Sequence, residues 1–215
     1  MRVDHATGQA GLIAALDALA DALDALTDDR ALAPSRCHGW LVCDVLAHLH
    51  LGLQEMLLGT LQTTHEAPDT DAATYWRATP PRSDPAADDL DGLVFARRLA
   101  AAYRRPTGLV AHLRPTVLGL RTAVGAMADG AVRFQGHVLS TGDFLATWAV
   151  EVAVHHLDID VGDPAAAALR LARQTVDAIA GERMPAELGD AEVALSGFGR
   201  IAVPDGLGDR LPLHR

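Results

Sequence analysis

The segment Glu151-Val-Ala-Val-His155-His-Leu-Asp158 sets ionisable side chains into a run that is otherwise apolar. At 100° per residue, Phe144, Trp148, Glu151, His155 and Asp158 fall within about 80° of one another on a helical wheel. One face is therefore apolar at its start and charged at its end, between the greasy neighbours Val150, Val152, Val154 and Leu157. Ionisable groups buried there must be paired, protonated or metal-bound, because burial without a partner costs on the order of several kcal/mol. A Glu and a His four apart on one helix supply two ligands of a metal site. A polar stripe facing water is the plainer alternative.

A chain of 215 residues makes one compact domain, or a main domain with a small appendage. Ala, Leu and Val carry the apolar content and aromatics are only 4%, which favours helices over a β-sandwich. A net charge of −10 argues against nucleic acid as a partner, since a phosphate backbone would be repelled. All 18 basic residues are Arg, a usage that points to a GC-rich bacterial genome. No basic start leads into an apolar leader and no run of 18 apolar residues occurs, so the expected protein is soluble and cytoplasmic, with no membrane partner. Cys37 and Cys43 suit a reduced compartment and are read as structural thiols.

Four long helical segments are expected. The first runs from about Gly8 to Thr27, with Leu12, Leu16, Leu19, Leu23 and Leu26 inward and Asp17, Asp21, Asp24 and Asp28 outward. The second, from about Leu41 to Thr63, is greasy on nearly every face, which marks a central helix. A Pro-rich crossover from Thr64 to about Asp88 holds a short helix near Tyr75-Trp76. The third region, Asp89 to Met127, is interrupted near Pro106 and Pro115. Val132 to Leu139 alternates like a strand or hairpin edge. The fourth helix starts at a Thr141-Gly-Asp143 cap and ends near Ile159. Beyond it, Ala165 to Ala180 reads as a helix closed by Gly181, and Glu192 to Val203 as two short strands around a glycine turn. The expected fold is mainly α: a four-helix bundle with a long crossover over residues 1–163. A small C-terminal α+β segment over residues 164–215 packs upon it, too small to fold alone.

A third metal ligand has to come from elsewhere in the chain, and the second helix offers His48 and His50, both off the apolar stripe. Helical geometry does not choose between them.

The stretch Cys37-His-Gly39-Trp40-Leu-Val42-Cys-Asp44-Val45-Leu-Ala-His48-Leu49 resembles a segment of the mycothiol-dependent maleylpyruvate isomerase family, within the DinB-like metal-binding helical bundles. Glu151-x3-His155-x2-Asp158 is similar to that family's second signature, and Leu195-Ser-Gly-Phe-Gly199-Arg200 to a glycine turn near the end of such chains. The resemblance implies metal ligands at His48, Glu151 and His155, leaving His50 and His156 without a role. It also implies a divalent metal, Zn²⁺ first, and mycothiol as cosubstrate. Trp148 stands where many relatives carry Arg, so an aromatic pocket roof and a bulkier or less anionic substrate are expected.

Two His and one Glu leave a coordination position open, the catalytic arrangement. An open Zn²⁺ site lowers the pKa of a bound thiol or water. The implied activity is that of a metal-dependent thiol S-transferase or isomerase, acting on a small electrophile as a monomer or homodimer. The alternatives are a hydrolase using bound hydroxide and a non-catalytic bundle that binds metal or a small ligand. Asp158 is expected to orient His155; Asp44 could do the same for His48, although a carboxylate at a helix start more often serves as a favourable charge on the helix dipole. Arg200 is a candidate binder of a substrate carboxylate, and Trp40 a core anchor.

Overall fold

The computed structural model describes residues 1–77, 85–203 and 211, with the side chains of 85–90 left aside. It is mainly helical. The helices are α1 (His5–Asp24), α2 (Asp28–Ala31), α3 (Val42–Gly59), α4 (Pro85–Ala101), α5 (Pro106–Ala126), α6 (Thr141–Ile159), α7 (Ala166–Ala180) and α8 (Asp190–Gly197). Strands β1 (Thr63–Thr64), β2 (Ala131–Phe134) and β3 (His137–Ser140) form a small antiparallel sheet in that order. A 3-10 turn at Thr74–Trp76 matches the short helix expected in the crossover.

Helix α1 is capped by the Asp4 carboxylate, which accepts the Thr7 N–H at 2.9 Å. Its leucines at 12, 16, 19 and 23 are all buried, as the i, i+4 pattern requires. It packs on α5 and α6, while α3 packs on α5 and α6 from another side. The outward aspartates are not idle: Asp17, Asp24 and Asp28 pair with Arg121, Arg114 and Arg105 of the α5 region.

The central helix is α6 rather than α3. Leu51 and Leu58 of α3 remain 36% and 61% exposed, whereas every residue of α6 is buried except Glu151. Ser140, not Thr141, caps α6, its hydroxyl accepting the Asp143 N–H at 3.1 Å. Two glycines set how α6 meets α1. A Cβ on Gly8 would stand 2.4 Å from the Gly142 carbonyl oxygen, and one on Gly142 2.2 Å from the Val3 oxygen. The backbones touch where no side chain fits.

The β2–β3 hairpin turns through Gln135 and Gly136, both in the left-handed region with φ of 47° and 82°. Such a turn matches the twist of the flanking strands. Pro106 starts α5, as the expected break there implies, but Pro115 lies inside α5 without ending it. It sits on the exposed side, where solvent can satisfy the carbonyl freed by its missing N–H.

The C-terminal strands are not found. Residues 190–197 form α8 instead, and the β component lies between α3 and α6. The Glu192 carboxylate accepts the Gly189 N–H at 2.8 Å, fixing the helix start, and Val193, Ala194 and Leu195 are buried. Gly197 lets α8 approach α7, since a Cβ there would lie 2.3 Å from a Val176 methyl. Burial against α7, rather than local strand preference, decides this segment. Helices α7 and α8 pack on α6, α7 also touches α1, and their buried side chains join the common core. Pro204 and Gly206, expected in an irregular end, lie outside the described residues.

Candidate metal centre

Helical geometry brings Glu151 and His155 together, one turn apart on α6. His155 Nε2 lies 3.1 Å from Glu151 Oε1. Helix α3 crosses this face and presents His48, whose Nε2 is 3.4 Å from the same carboxylate oxygen. The two imidazoles meet edge to face, with centroids 5.0 Å apart and planes at 71°. Ligand atoms of the three side chains all lie within 4.8 Å of one another. The cluster opens outward, since the side chains of His48 and Glu151 are 46% and 25% exposed while that of His155 is 11%.

The donor set suits a small divalent cation. Neighbouring donors in a tetrahedral site with metal–nitrogen bonds of about 2.0–2.1 Å stand about 3.3 Å apart, and the two contacts to Glu151 bracket that separation. Burial by itself would raise the Glu151 carboxyl, but the His155 charge and hydrogen bonds from His155 and His48 outweigh it and hold it well below the usual range. Burial would likewise lower His155, yet the Glu151 charge and hydrogen bonds with Asp158, Cys37 and Glu151 push it well above an ordinary imidazole. Both shifts have one cause, the close approach of imidazole and carboxylate, and mark a place that favours positive charge.

The other imidazole nitrogen is also held. His155 Nδ1 is 2.9 Å from Asp158 Oδ2, and Asp158 is completely buried. Arg200 grips that carboxylate with two donors, Nε to Oδ1 at 2.9 Å and Nη2 to Oδ2 at 2.8 Å. The Cys37 thiol donates to Oδ2 at 3.1 Å and accepts from Arg200 Nη2 at 3.2 Å. Burial opposes ionisation of Asp158, but hydrogen bonds from His155 and Arg200 and their charges keep its carboxyl far below the usual range. Cys37, His155 and Asp158 also have metal-ligand spacing, but there the guanidinium already supplies the positive charge.

Trp148, one turn before Glu151, is 6% exposed. Its ring lies 3.3 Å from where a Cβ on Gly52 of α3 would be, and edge-on to Phe134 at 5.8 Å. Trp40 is partly buried against the core and meets His48 edge-on at 5.9 Å. Asp44 does not touch His48: it accepts the Leu41 N–H at 2.9 Å and the Arg97 Nη2 at 2.7 Å. A carboxylate in the first turn is turned toward the free N–H groups of its own helix start. His50 lies elsewhere, 4.6 Å from the His112 ring. His156 Nε2 is 2.9 Å from the Val161 oxygen.

Two neighbours escaped the sequence reading. Cys37, expected to be a structural thiol, touches the Asp158 carboxylate; its place at the head of the Cys-x-Gly-Trp motif is the available signal. Tyr75 comes in on the crossover. Burial, then the Glu151 and Glu55 charges, raise its phenol well above the usual range, and its hydroxyl is 2.5 Å from Gln135 Oε1.

Fold and site together define a mainly helical protein carrying a candidate two-histidine, one-glutamate metal centre. Residues 12–160 match the family described as the mycothiol maleylpyruvate isomerase N-terminal domain, and the chain belongs to that family. No curated protein and no solved structure matches the chain.

Proposed function

We propose that this protein is a metal-dependent enzyme that activates a low-molecular-weight thiol of the mycothiol type for attack on a small electrophile, by S-transfer or isomerisation. The convergence of His48, Glu151 and His155 at an outward-facing edge, in a chain of this family, carries the reading. On it, α1, α3, α5 and α6 correspond to a DinB-like four-helix bundle, and residues 164–215 to a segment docked on residues 1–163.

The three side chains would hold a divalent ion such as Zn²⁺. When bound, such an ion lowers the pKa of a coordinated thiol and so supplies a strong nucleophile near neutral pH. His155 presents Nε2 because its Nδ1–H is engaged by Asp158, which fixes ring orientation and tautomer. Glu151 completes the donor set with a carboxylate that stays ionised. Trp148, one turn from Glu151 and packed over Gly52, is proposed to shape the substrate side of the centre and to favour a bulkier, less anionic electrophile.

Turnover of activated electrophiles by Zn²⁺-loaded protein, with and without mycothiol, tests this. Activity that needs both mycothiol and His155 supports it. Turnover that needs His155 but no thiol favours a hydrolase, and equal rates for wild type and His155→Ala place the chemistry elsewhere.

A further inference from the structure

We propose that Arg200 is a positioning residue for the metal centre, acting through Asp158 on His155, and does not serve as the anchor of a substrate carboxylate. The inference rests on the metal reading of His48, Glu151 and His155. Its observation is independent of that reading: a completely buried carboxylate whose two oxygens are both engaged among the described residues.

Asp158 Oδ1 takes Arg200 Nε, and Oδ2 takes Arg200 Nη2, the Cys37 thiol and His155 Nδ1. The remaining guanidinium nitrogen, Nη1, donates to the Phe198 carbonyl at 2.5 Å. A guanidinium engaged at all three nitrogens, with a side chain only 16% exposed, has little left to offer a ligand. What it does offer is a fixed fork. Two parallel N–H bonds define the plane of the carboxylate as well as its place, and the carboxylate in turn fixes the imidazole.

The contact also spans the chain. Asp158 stands on α6, Cys37 on the loop before α3, and Arg200 just after α8. The turn that delivers Arg200 is built for it: Gly199 has φ of 75°, and the Arg200 N–H returns to the Leu195 carbonyl at 2.7 Å, closing the helix in the manner of a glycine C-cap. The backbone N–H of Arg36 bonds the Asp158 carbonyl at 3.0 Å, so the Cys37 loop is tied to the same turn of α6. The tail is therefore part of the centre, two contacts removed from the ligand Nε2.

The test is a double-mutant cycle on Zn²⁺ affinity, read by competition with a chromogenic chelator for wild type, Arg200→Ala, Asp158→Asn and the double variant. Positioning through Asp158 predicts about 10–100-fold weaker binding in Arg200→Ala, and less than about threefold further loss when it is added to Asp158→Asn. Arg200→Lys, which keeps the charge but cannot grip both oxygens, should fall between wild type and Arg200→Ala. Wild-type affinity in folded Arg200→Ala, or losses that add in full, overturns the proposal. Should Arg200→Ala not fold, Arg200→Lys decides: weaker binding supports the proposal and unchanged binding overturns it. A wild-type chain that retains no Zn²⁺ overturns the metal reading and this inference together, an outcome distinct from retention without coupling.

Discussion

The imidazole of His155 bridges two carboxylates of its own helix, with Nε2 3.1 Å from Glu151 Oε1 and Nδ1 2.9 Å from Asp158 Oδ2. One carboxylate faces outward and the other is sealed by Arg200. This asymmetry assigns the two nitrogens their different tasks. On the proposed metal reading, Nε2 is the nitrogen that would meet the cation.

Replacing His155 by Ala should remove one donor and abolish stoichiometric metal retention, measured by elemental analysis after desalting. The helix should persist in far-UV circular dichroism, because Ala is a strong helix former. Full Zn²⁺ retention in this variant would show that the cluster is not the binding site.

Asp158→Asn should be milder in metal affinity than His155→Ala, at about 10–100-fold. It should cost more in stability than a surface change, because it removes the charge that Arg200 pairs with inside the protein. Thermal unfolding and chelator competition on the same preparation separate the two effects.

Gly8→Ala probes the α1–α6 crossing. A methyl 2.4 Å from the Gly142 carbonyl oxygen forces the backbones apart, and overpacking of this kind costs about 1–3 kcal/mol. The expected fall in Tm is on the order of 2–4 °C per kcal/mol for a chain of this size. An unchanged or raised Tm would mean that the two helices are free to separate at that point.

Acid should weaken one particular junction. Hydrogen bonds from the Thr107 backbone and side chain, then Arg105, lower the Asp28 carboxyl from 3.8 to about 2. A carboxylate depressed by folding contributes stability that is complete above its unfolded pKa and is lost as pH falls through the folded one. That contribution should vanish between pH 3.8 and about 2. Asp28→Asn should therefore show a flatter stability curve over this window, measured by urea unfolding. Parallel curves for the two proteins would contradict the assignment.

Local pattern was enough to read the long helices and the hairpin. The leucine stripe of α1, the glycine that closes α7 and the alternation from Val132 to Leu139 each carry their own signal. The centre was legible only in part. Spacing alone brought Glu151 and His155 together, whereas His48 was separable from His50 by resemblance and not by wheel angle, since both leave the apolar stripe. Cys37 and the clamp of Arg200 on Asp158 join residues far apart in sequence, which no local periodicity encodes. The strands expected after Glu192 failed for a related reason: burial against α7 decided that segment. Asp44 serves its own helix start, the commoner role of a carboxylate in a first turn.

The single gap in the burial of α6, at Glu151, has a use for experiment. Along most of that helix a substitution reports on packing before it reports on anything else, so loss of activity and loss of fold arrive together. At Glu151 the side chain borders solvent, and Glu151→Gln keeps its shape while removing its charge. Chemistry can be interrogated there with the scaffold held constant, and a library of variants along α6 should show tolerance of folding concentrated at this one position.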